Sequence, residues 1–484
     1  MTIKTPDWVK DAIFYQIFPE RFAQSERVEK PTNLEPWDAP PTRRGFKGGD
    51  LLGIKERLDY LEALGITAIY FNPIFQSAAN HRYHTHNYYR VDPILGGNAA
   101  FRELLEAAHA RGIRIMLDGV FNHASRGFLQ FNHLMENGEQ SPYREWFTVK
   151  EFPLYAFDET REPNYECWFD NRELPKLNTD HAPVRDFILD VAEYWLHQGI
   201  DGWRLDVPLE IETPGFWEEF RARVKAVNPE AYILAEIWDP AQEWLRGEHF
   251  DAVMNYPFNR ACYGLFGGKL LDMSYQPGGF KLKRLNARGF AREVDWMLNL
   301  YDWEVTQVQY NLISSHDVPR FLTMVRGDKR RLRLATLFQM TFPGAPSVYY
   351  GDEIGIMGGK EPACRGGFPW DESVWDHELL ADVQRYIALR RDHHVLRHGL
   401  FATLHAEDLA YAFARSNEDE VLVVALNAGE KPAKMTLDLH GLVPANAVLT
   451  EAWSETTVQV SEDDALTLEI PPMDSRVLIY APVG

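Results

Sequence analysis

Over most of the chain, short continuous apolar runs alternate with stretches in which apolar residues recur three and four positions apart. Residues 66–71 (ITAIYF) form a nearly unbroken apolar run that stops at Asn72-Pro73, the pattern of a strand buried on both faces. Phe101, Leu104, Leu105 and Ala108 then follow helical spacing, and Gly112 predicts a stop before a strand over 113–117. Pro183 opens a second helix, with Val184, Phe187, Ile188, Val191 and Trp195 on one face and Gly199 at its end. Further apolar runs at 13–17, 203–207, 232–237, 252–255, 312–315 and 347–350 bring the strands to about eight, most of them separated by a helix. That alternation predicts an α/β chain folded as a (β/α)8 barrel.

Two regions break the rhythm. Residues 121–174 are rich in Asn, Glu, Pro and aromatics with little periodicity, which predicts an inserted domain after the third strand. From about residue 400 the period becomes two, with short strands at 409–415, 421–426, 433–439, 447–453, 466–470 and 476–480. The expected organisation is therefore a barrel over 1–120 and 175–398, an inserted domain over 121–174, and a C-terminal β-sandwich over 399–484.

Composition narrows the function. A net charge of −21 excludes a phosphate-rich partner such as nucleic acid and suits a neutral substrate. Three cysteines at no paired or metal-ligand spacing fit a reducing compartment. The first residues hold no apolar stretch of signal-peptide length, and no run of eighteen apolar residues occurs, so the expectation is a cytoplasmic protein that does not enter a membrane. The 14 Trp, 21 Tyr and 28 Phe leave two readings open, large aromatic cores or sugar-stacking surfaces.

The chemistry should lie at the C-terminal ends of the barrel strands. The third predicted strand runs into Asp118, followed by Asn122-His123; the fourth ends in Arg204-Leu205-Asp206, the fifth in Glu236, and the seventh in His316-Asp317. One acid at a strand end is often a helix cap. Four on separate strands would crowd like charge at one mouth, an arrangement retained where chemistry needs it. No zinc or di-metal ligand spacing, nucleophile elbow or phosphate-binding glycine motif is present. Paired carboxylates without those features suggest glycosidic cleavage, in which one acid protonates the leaving oxygen while one carboxylate attacks or guides water.

These residues resemble those of the α-amylase family, glycoside hydrolase family 13. Asp118-Gly-Val-Phe-Asn-His123, Gly202-Trp-Arg-Leu-Asp206, Ala235-Glu-Ile-Trp238 and Ser314-Ser-His-Asp317 stand in the family's order. They are flanked by similar runs at Gly65-Ile-Thr-Ala-Ile-Tyr-Phe-Asn-Pro73 and Gly344-Ala-Pro-Ser-Val-Tyr-Tyr-Gly-Asp352. The resemblance implies a retaining hydrolase of α-1,4 and α-1,6 glucosidic bonds, with Asp206 as nucleophile, Glu236 as general acid/base and Asp317 as transition-state stabiliser. It further implies that His123 and His316 bind the sugar at the cleaved bond, that Tyr83 stacks beneath it, and that Asp118 and Asn122 support that shell. Arg204, two residues before Asp206 on one strand face, is expected to keep the nucleophile charged. Trp238 and Trp168 are candidate sugar platforms.

Leu174-Pro-Lys-Leu-Asn178 is similar to the marker of the neopullulanase, cyclomaltodextrinase and maltogenic amylase group, and Glu210 matches a glutamate of that group. The implied partner is an α-glucan oligosaccharide; the oligomeric state stays open. Three departures from the group are visible. The first strand starts near Ile13, so the group's N-terminal domain is expected to be lacking. His84 and His86 stand where the group has Asp and Ala. The oxygen ligands near Gly49-Asp50 are too few to imply tight calcium, so no obligatory metal or other cofactor is expected. The alternative activity is that of a glucanotransferase or trehalose synthase-type isomerase on the same residues; a non-catalytic carbohydrate-binding barrel is a further alternative.

Overall fold

The computed structural model describes residues 3–276 and 281–481. Eight parallel strands form the core: β1 Phe14–Ile17, β2 Ala68–Phe71, β3 Arg114–Gly119, β4 Gly202–Leu205, β5 Tyr232–Ala235, β6 Ala252–Val253, β7 Tyr310–Leu312 and β8 Ala345–Tyr349. Their order is β6-β5-β4-β3-β2-β1-β8-β7. A parallel bridge between Met254 and Tyr310 joins the two ends, and the Asn255 N–H donates to the Tyr310 carbonyl at 2.8 Å, so the sheet closes into a barrel. The strands are short and almost wholly buried, as expected of a parallel sheet with an outer layer of helices.

Those helices include α1 Leu58–Leu64, α2 Gly97–His109, α3 Ala182–Gln198, α4 Phe216–Val227, α5 Tyr256–Phe266, α6 Ala287–Leu298, α7 Lys329–Thr341 and α8 His377–Asp392. Helix α3 has Pro183 in its first turn and Gly199 as its left-handed C-cap (φ 107°), a conformation open to glycine at little steric cost. Between β5 and β6 the described chain forms only a short 3-10 turn, Gln242–Trp244, so the alternation of strand and helix lapses there.

One element escaped the sequence reading. An antiparallel hairpin, Phe75–Ser77 with Thr85–Val91, follows β2 and carries Tyr83 in its connection. Its register shifts twice within three pairs, which erases the period-two signal. The segment after β3 holds a helix, Leu129–Asn137, and isolated bridges Val149–Tyr165 and Cys167–Pro175.

The C-terminal region has eight strands rather than the six expected. β9 Leu400–Glu407, β10 Ala410–Ser416, β11 Val421–Asn427, β12 Ala433–Asp438, β13 Val448–Glu451, β14 Thr457–Gln459, β15 Ala465–Ile470 and β16 Asp474–Tyr480 form a six-stranded sheet (β9-β10-β11-β16-β13-β14) and a two-stranded one (β12-β15). β9 was missed because a bulge between Thr403 and His405 disrupts its alternation. On β10, Ala410, Ala412 and Ala414 face a core shared with Met435, Leu437, Leu466 and Leu468, while Tyr411 and Phe413 pack into the barrel's core. The larger sheet is therefore covered on both faces, which explains the unbroken burial of β11.

Candidate active site

Three acids leave consecutive strands of the barrel in the same direction. Asp118 sits near the end of β3, and Asp206 and Glu236 lie one residue past β4 and β5. The ladder continues through them: the Asp206 N–H donates to the Gly119 carbonyl (3.1 Å) and the Glu236 N–H to the Leu205 carbonyl (3.0 Å). Each carboxylate is thus carried on backbone fixed by its neighbouring strand.

Arg204 lies at the centre and is completely buried. Its Nη1 is 3.0 Å from Asp118 Oδ1 and 2.9 Å from Asp206 Oδ1, and its Nη2 is 3.0 Å from Glu236 Oε2. One cation among three carboxylates leaves an excess of negative charge in a buried place, and such a cluster retains protons. Burial pushes the Asp206 carboxyl well above the usual carboxylate range, against the pull of Arg204 and with a further push from Glu236 and Asp118. The expected pull of Arg204 on Asp206 is present, and burial opposes it more strongly.

Glu236 has two further donors. The Trp238 indole N–H reaches Oε1 at 3.1 Å and the Val207 N–H reaches Oε2 at 3.1 Å. Val207 adopts a left-handed conformation (φ 38°), which is costly for a β-branched residue, and this turn aims its amide at Glu236. Trp238 also stacks on Tyr256 with ring centroids 3.7 Å apart, so its edge is fixed.

A second network surrounds His316. Gln16 Nε2 donates to Nδ1 at 2.8 Å, which leaves the ring proton on Nε2, 2.6 Å from Tyr83 Oη and 3.1 Å from Asp317 Oδ2. The Tyr83 O–H donates to Asp118 Oδ2 at 3.0 Å, and the Tyr70 O–H donates to the same oxygen at 2.6 Å. The Tyr83 and His316 rings are stacked, 7° from parallel. Burial, with Arg365 and Arg204 beyond it, pushes His316 well below its ordinary value, so the ring is neutral.

Asp317 is not at a strand end as expected, because β7 stops at Leu312. Its backbone is held instead by Ser315 Oγ, which accepts the Asp317 N–H (3.2 Å), and by Tyr275 Oη, which donates to the Asp317 carbonyl (3.2 Å). Arg365 Nη2 lies 3.3 Å from its carboxylate. Burial, then the nearby Glu236 charge, pushes this carboxyl up to about 7. His123 Nδ1 accepts from Asn122 at 3.3 Å, and burial lowers that imidazole to about 3. The marker segment runs antiparallel beside it: the Ala124 N–H donates to the Pro175 carbonyl and the Leu177 N–H to the Asn122 carbonyl, both at 3.0 Å. Residues 174–178 thus pin the backbone that bears His123.

Other expected residues stand outside this cluster. Glu210 is exposed on the turn Pro208–Glu210, and no side-chain bond of the described structure ties it to the acids. His84 meets His81 edge to face, with centroids 4.9 Å apart, and His86 packs over Gly127, where a Cβ would come within 2.4 Å of the imidazole. Asp50 caps the helix Leu51–Lys55 and pairs with Lys30 at 2.5 Å, so its charge is already answered by a side chain. Gln16, Tyr70, Val207 and Arg365 were missed. Gln16 had a legible signal, a lone amide inside the buried strand Phe14–Ile17.

A parallel barrel whose mouth gathers three carboxylates, a buried arginine and neutral histidines has the make-up of a glycoside hydrolase working with paired carboxylates. The model of the α-amylase catalytic domain matches residues 16–401, and that of the neopullulanase-like C-terminal domain matches 401–476. The chain is 42% identical to a cyclomaltodextrinase of Geobacillus thermopakistaniensis, over 97% of this chain and 77% of that protein. It superposes on the solved structure of Ttha1563 from Thermus thermophilus with a TM-score of 0.93 and 47% identity, covering 98% of this chain and 100% of that one. The debranching enzyme of Nostoc punctiforme gives 0.91 and 47%, covering 99% and 100%. The chain belongs to the α-amylase family, and it carries the neopullulanase-like C-terminal domain. No described helix is long and apolar enough to cross a membrane.

Proposed function

We propose that the protein cleaves α-1,4 and α-1,6 glucosidic bonds of maltooligosaccharides, cyclodextrins, pullulan or starch by double displacement. The observation that carries this reading is the single Arg204 guanidinium held within 3.0 Å of Asp118, Asp206 and Glu236. In the first step an Asp206 oxygen bonds to the anomeric carbon while the glycosidic C–O bond breaks. The Glu236 proton passes to the departing oxygen, which leaves as an alcohol. In the second step Glu236 takes a proton from water, the resulting oxygen attacks the anomeric carbon, and the ester bond breaks to restore the Asp206 carboxylate. Bond cleavage requires a proton on Glu236 and charge on Asp206.

Asp317 grips the 2- and 3-hydroxyls of the sugar as its ring flattens. Neutral His123 and His316 share those hydroxyls, Tyr83 stacks beneath the ring, and Trp238 both orients Glu236 and borders the leaving group. Asp118 and Asn122 hold Arg204 and His123 in place. Glu210, exposed beyond the nucleophile, meets substrate only outside the cleaved bond. The names of the relatives, a cyclomaltodextrinase and a debranching enzyme, support activity on cyclic and branched α-glucans.

The protein works without an obligatory metal, in the cytoplasm; the three cysteines left as thiols support that compartment. Incubation with maltotriose, β-cyclodextrin and pullulan, with and without a chelator, tests this. Glucose and maltose should dominate and be unaffected by the chelator. Longer oligomers or trehalose as the main products would show a transferase or isomerase instead.

A further inference from the structure

Among the described residues, one bulky apolar side chain stands out as almost unburied. Phe169 is 81% exposed, the most of any large hydrophobic residue described. Its backbone is in the left-handed region (φ 50°, ψ 40°), and Asp170 follows at φ 53°. A left-handed conformation is expensive for a bulky residue, and no glycine relieves it at either position. An exposed ring gives back no burial energy to offset the strain. Strain kept without a packing reward is found at ligand clamps and active sites.

The place of Phe169 says which ligand. Its ring meets that of Trp168 edge to face, with centroids 4.9 Å apart and an interplanar angle of 90°. Trp168 in turn stacks on His123 at 5.4 Å, 17° from parallel. His123 presents Nε2, and Trp168 presents Nε1, each buried and without a hydrogen-bond partner. Buried donors left unpartnered are rare, and these two lie along a row of rings leading outward from the cleavage site. The other exposed aromatic of the same segment, Phe157, is 70% exposed, but its face carries the Arg126 guanidinium at 4.4 Å. Phe169 makes its one ring contact with Trp168, and no guanidinium or ammonium lies over its ring among the described residues.

We propose that Phe169 is a sugar platform that binds a glucose unit of the α-glucan beyond the one held by Tyr83, His123 and His316. It thereby sets the preference for longer over shorter substrates. This rests on the hydrolase reading above. The aromatic face covers the apolar face of a pyranose, and the strained turn holds the ring out from the protein so that a sugar can lie against it. Phe169 acts on substrate length and takes no part in bond cleavage.

The test compares kcat/KM on maltotriose and maltoheptaose for the wild type, Phe169→Ala and Phe169→Tyr. The ratio of maltoheptaose to maltotriose should fall about five-fold or more in Phe169→Ala, mainly through KM, and stay near the wild-type ratio in Phe169→Tyr, which keeps the ring. Phe169→Gly should also lose the ratio while its melting temperature rises, because glycine relieves the strained backbone. An unchanged ratio in Phe169→Ala, an equal loss on both substrates, or a change in oligomeric state as the only effect would overturn the proposal. A wild type that cleaves neither substrate would instead overturn the hydrolase reading.

Discussion

Arg204 and the pair Arg390 and Arg415 are equally buried, and their surroundings could hardly differ more. Arg204 meets three carboxylates at the barrel mouth. Arg390 meets none among the described residues: its Nη1 donates to the carbonyls of Met340, Phe342 and Leu396, and its Nη2 to that of Gly344. Arg415 donates to Leu400, Thr341, Leu396 and Gly399, again all carbonyls. Arg390 ties the end of α7 and the segment before β9 to α8, and Arg415 ties the same two stretches to the C-terminal sheet. A guanidinium on carbonyls is a fastener, since its hydrogen bonds finish chain ends that would otherwise be orphaned. A guanidinium among acids acts on charge, because it favours their anions against the burial that disfavours them. Burial alone does not separate the two kinds; the neighbours do.

The contrast is broken most strongly at the acids. Asp206→Asn should lower kcat by on the order of 10⁴-fold or more, and Glu236→Gln by roughly 10³-fold. Asp206→Asn should leave the thermal midpoint unchanged or raised, because it removes a carboxyl that burial already disfavours as an anion. Calorimetry beside steady-state kinetics on maltotriose reads both.

The fasteners should behave in the opposite way. Arg390→Met strands the carbonyls of Met340, Phe342 and Gly344, while that of Leu396 keeps Arg415, and should cost about 3 kcal/mol of unfolding free energy in denaturant titration. Its kcat per folded molecule should stay within about two-fold of the wild type, since the barrel mouth keeps its own bonds.

A smaller effect sharpens the same comparison. Asp317 is raised in the folded protein to about 7 from 3.8. The folded state therefore binds more protons than the unfolded one between those values, and stability from this group falls as pH rises through that window, then stays flat above it. Asp317→Asn removes the dependence. Its stability relative to the wild type should increase as pH rises from about 4 to about 7, followed by thermal melts across that range.

What the sequence made legible follows the same division. The acids Asp118, Asp206 and Glu236 could be read because each stands at the end of a largely apolar run, as Glu236 does after residues 232–235. The barrel's parallel rhythm and the sandwich's period of two were visible for the same reason, since burial imposes both periods directly. Groups positioned by irregular backbone left no period to read. Tyr83 lies in the connection of a hairpin with a shifting register, and Arg365 comes from the 3-10 turn Ala363–Arg365. The strained Val207 and Phe169 look ordinary in one dimension, because a left-handed turn without glycine has no signature in composition. Arg390 and Arg415 sit in runs that read as a charged helix and a strand, and only the folded chain shows their carbonyl partners.

The claim that the Arg204 cluster makes Asp206 the attacking group is tested most directly by trapping the intermediate. The enzyme would be incubated with 5-fluoro-α-glucosyl fluoride, digested, and analysed by mass spectrometry. A 5-fluoroglucosyl adduct on the peptide containing Asp206, formed with loss of the anomeric fluoride and absent from Asp206→Asn, is the predicted result. An adduct on another carboxylate, or turnover with no adduct and a first-formed product of inverted anomeric configuration, would contradict it.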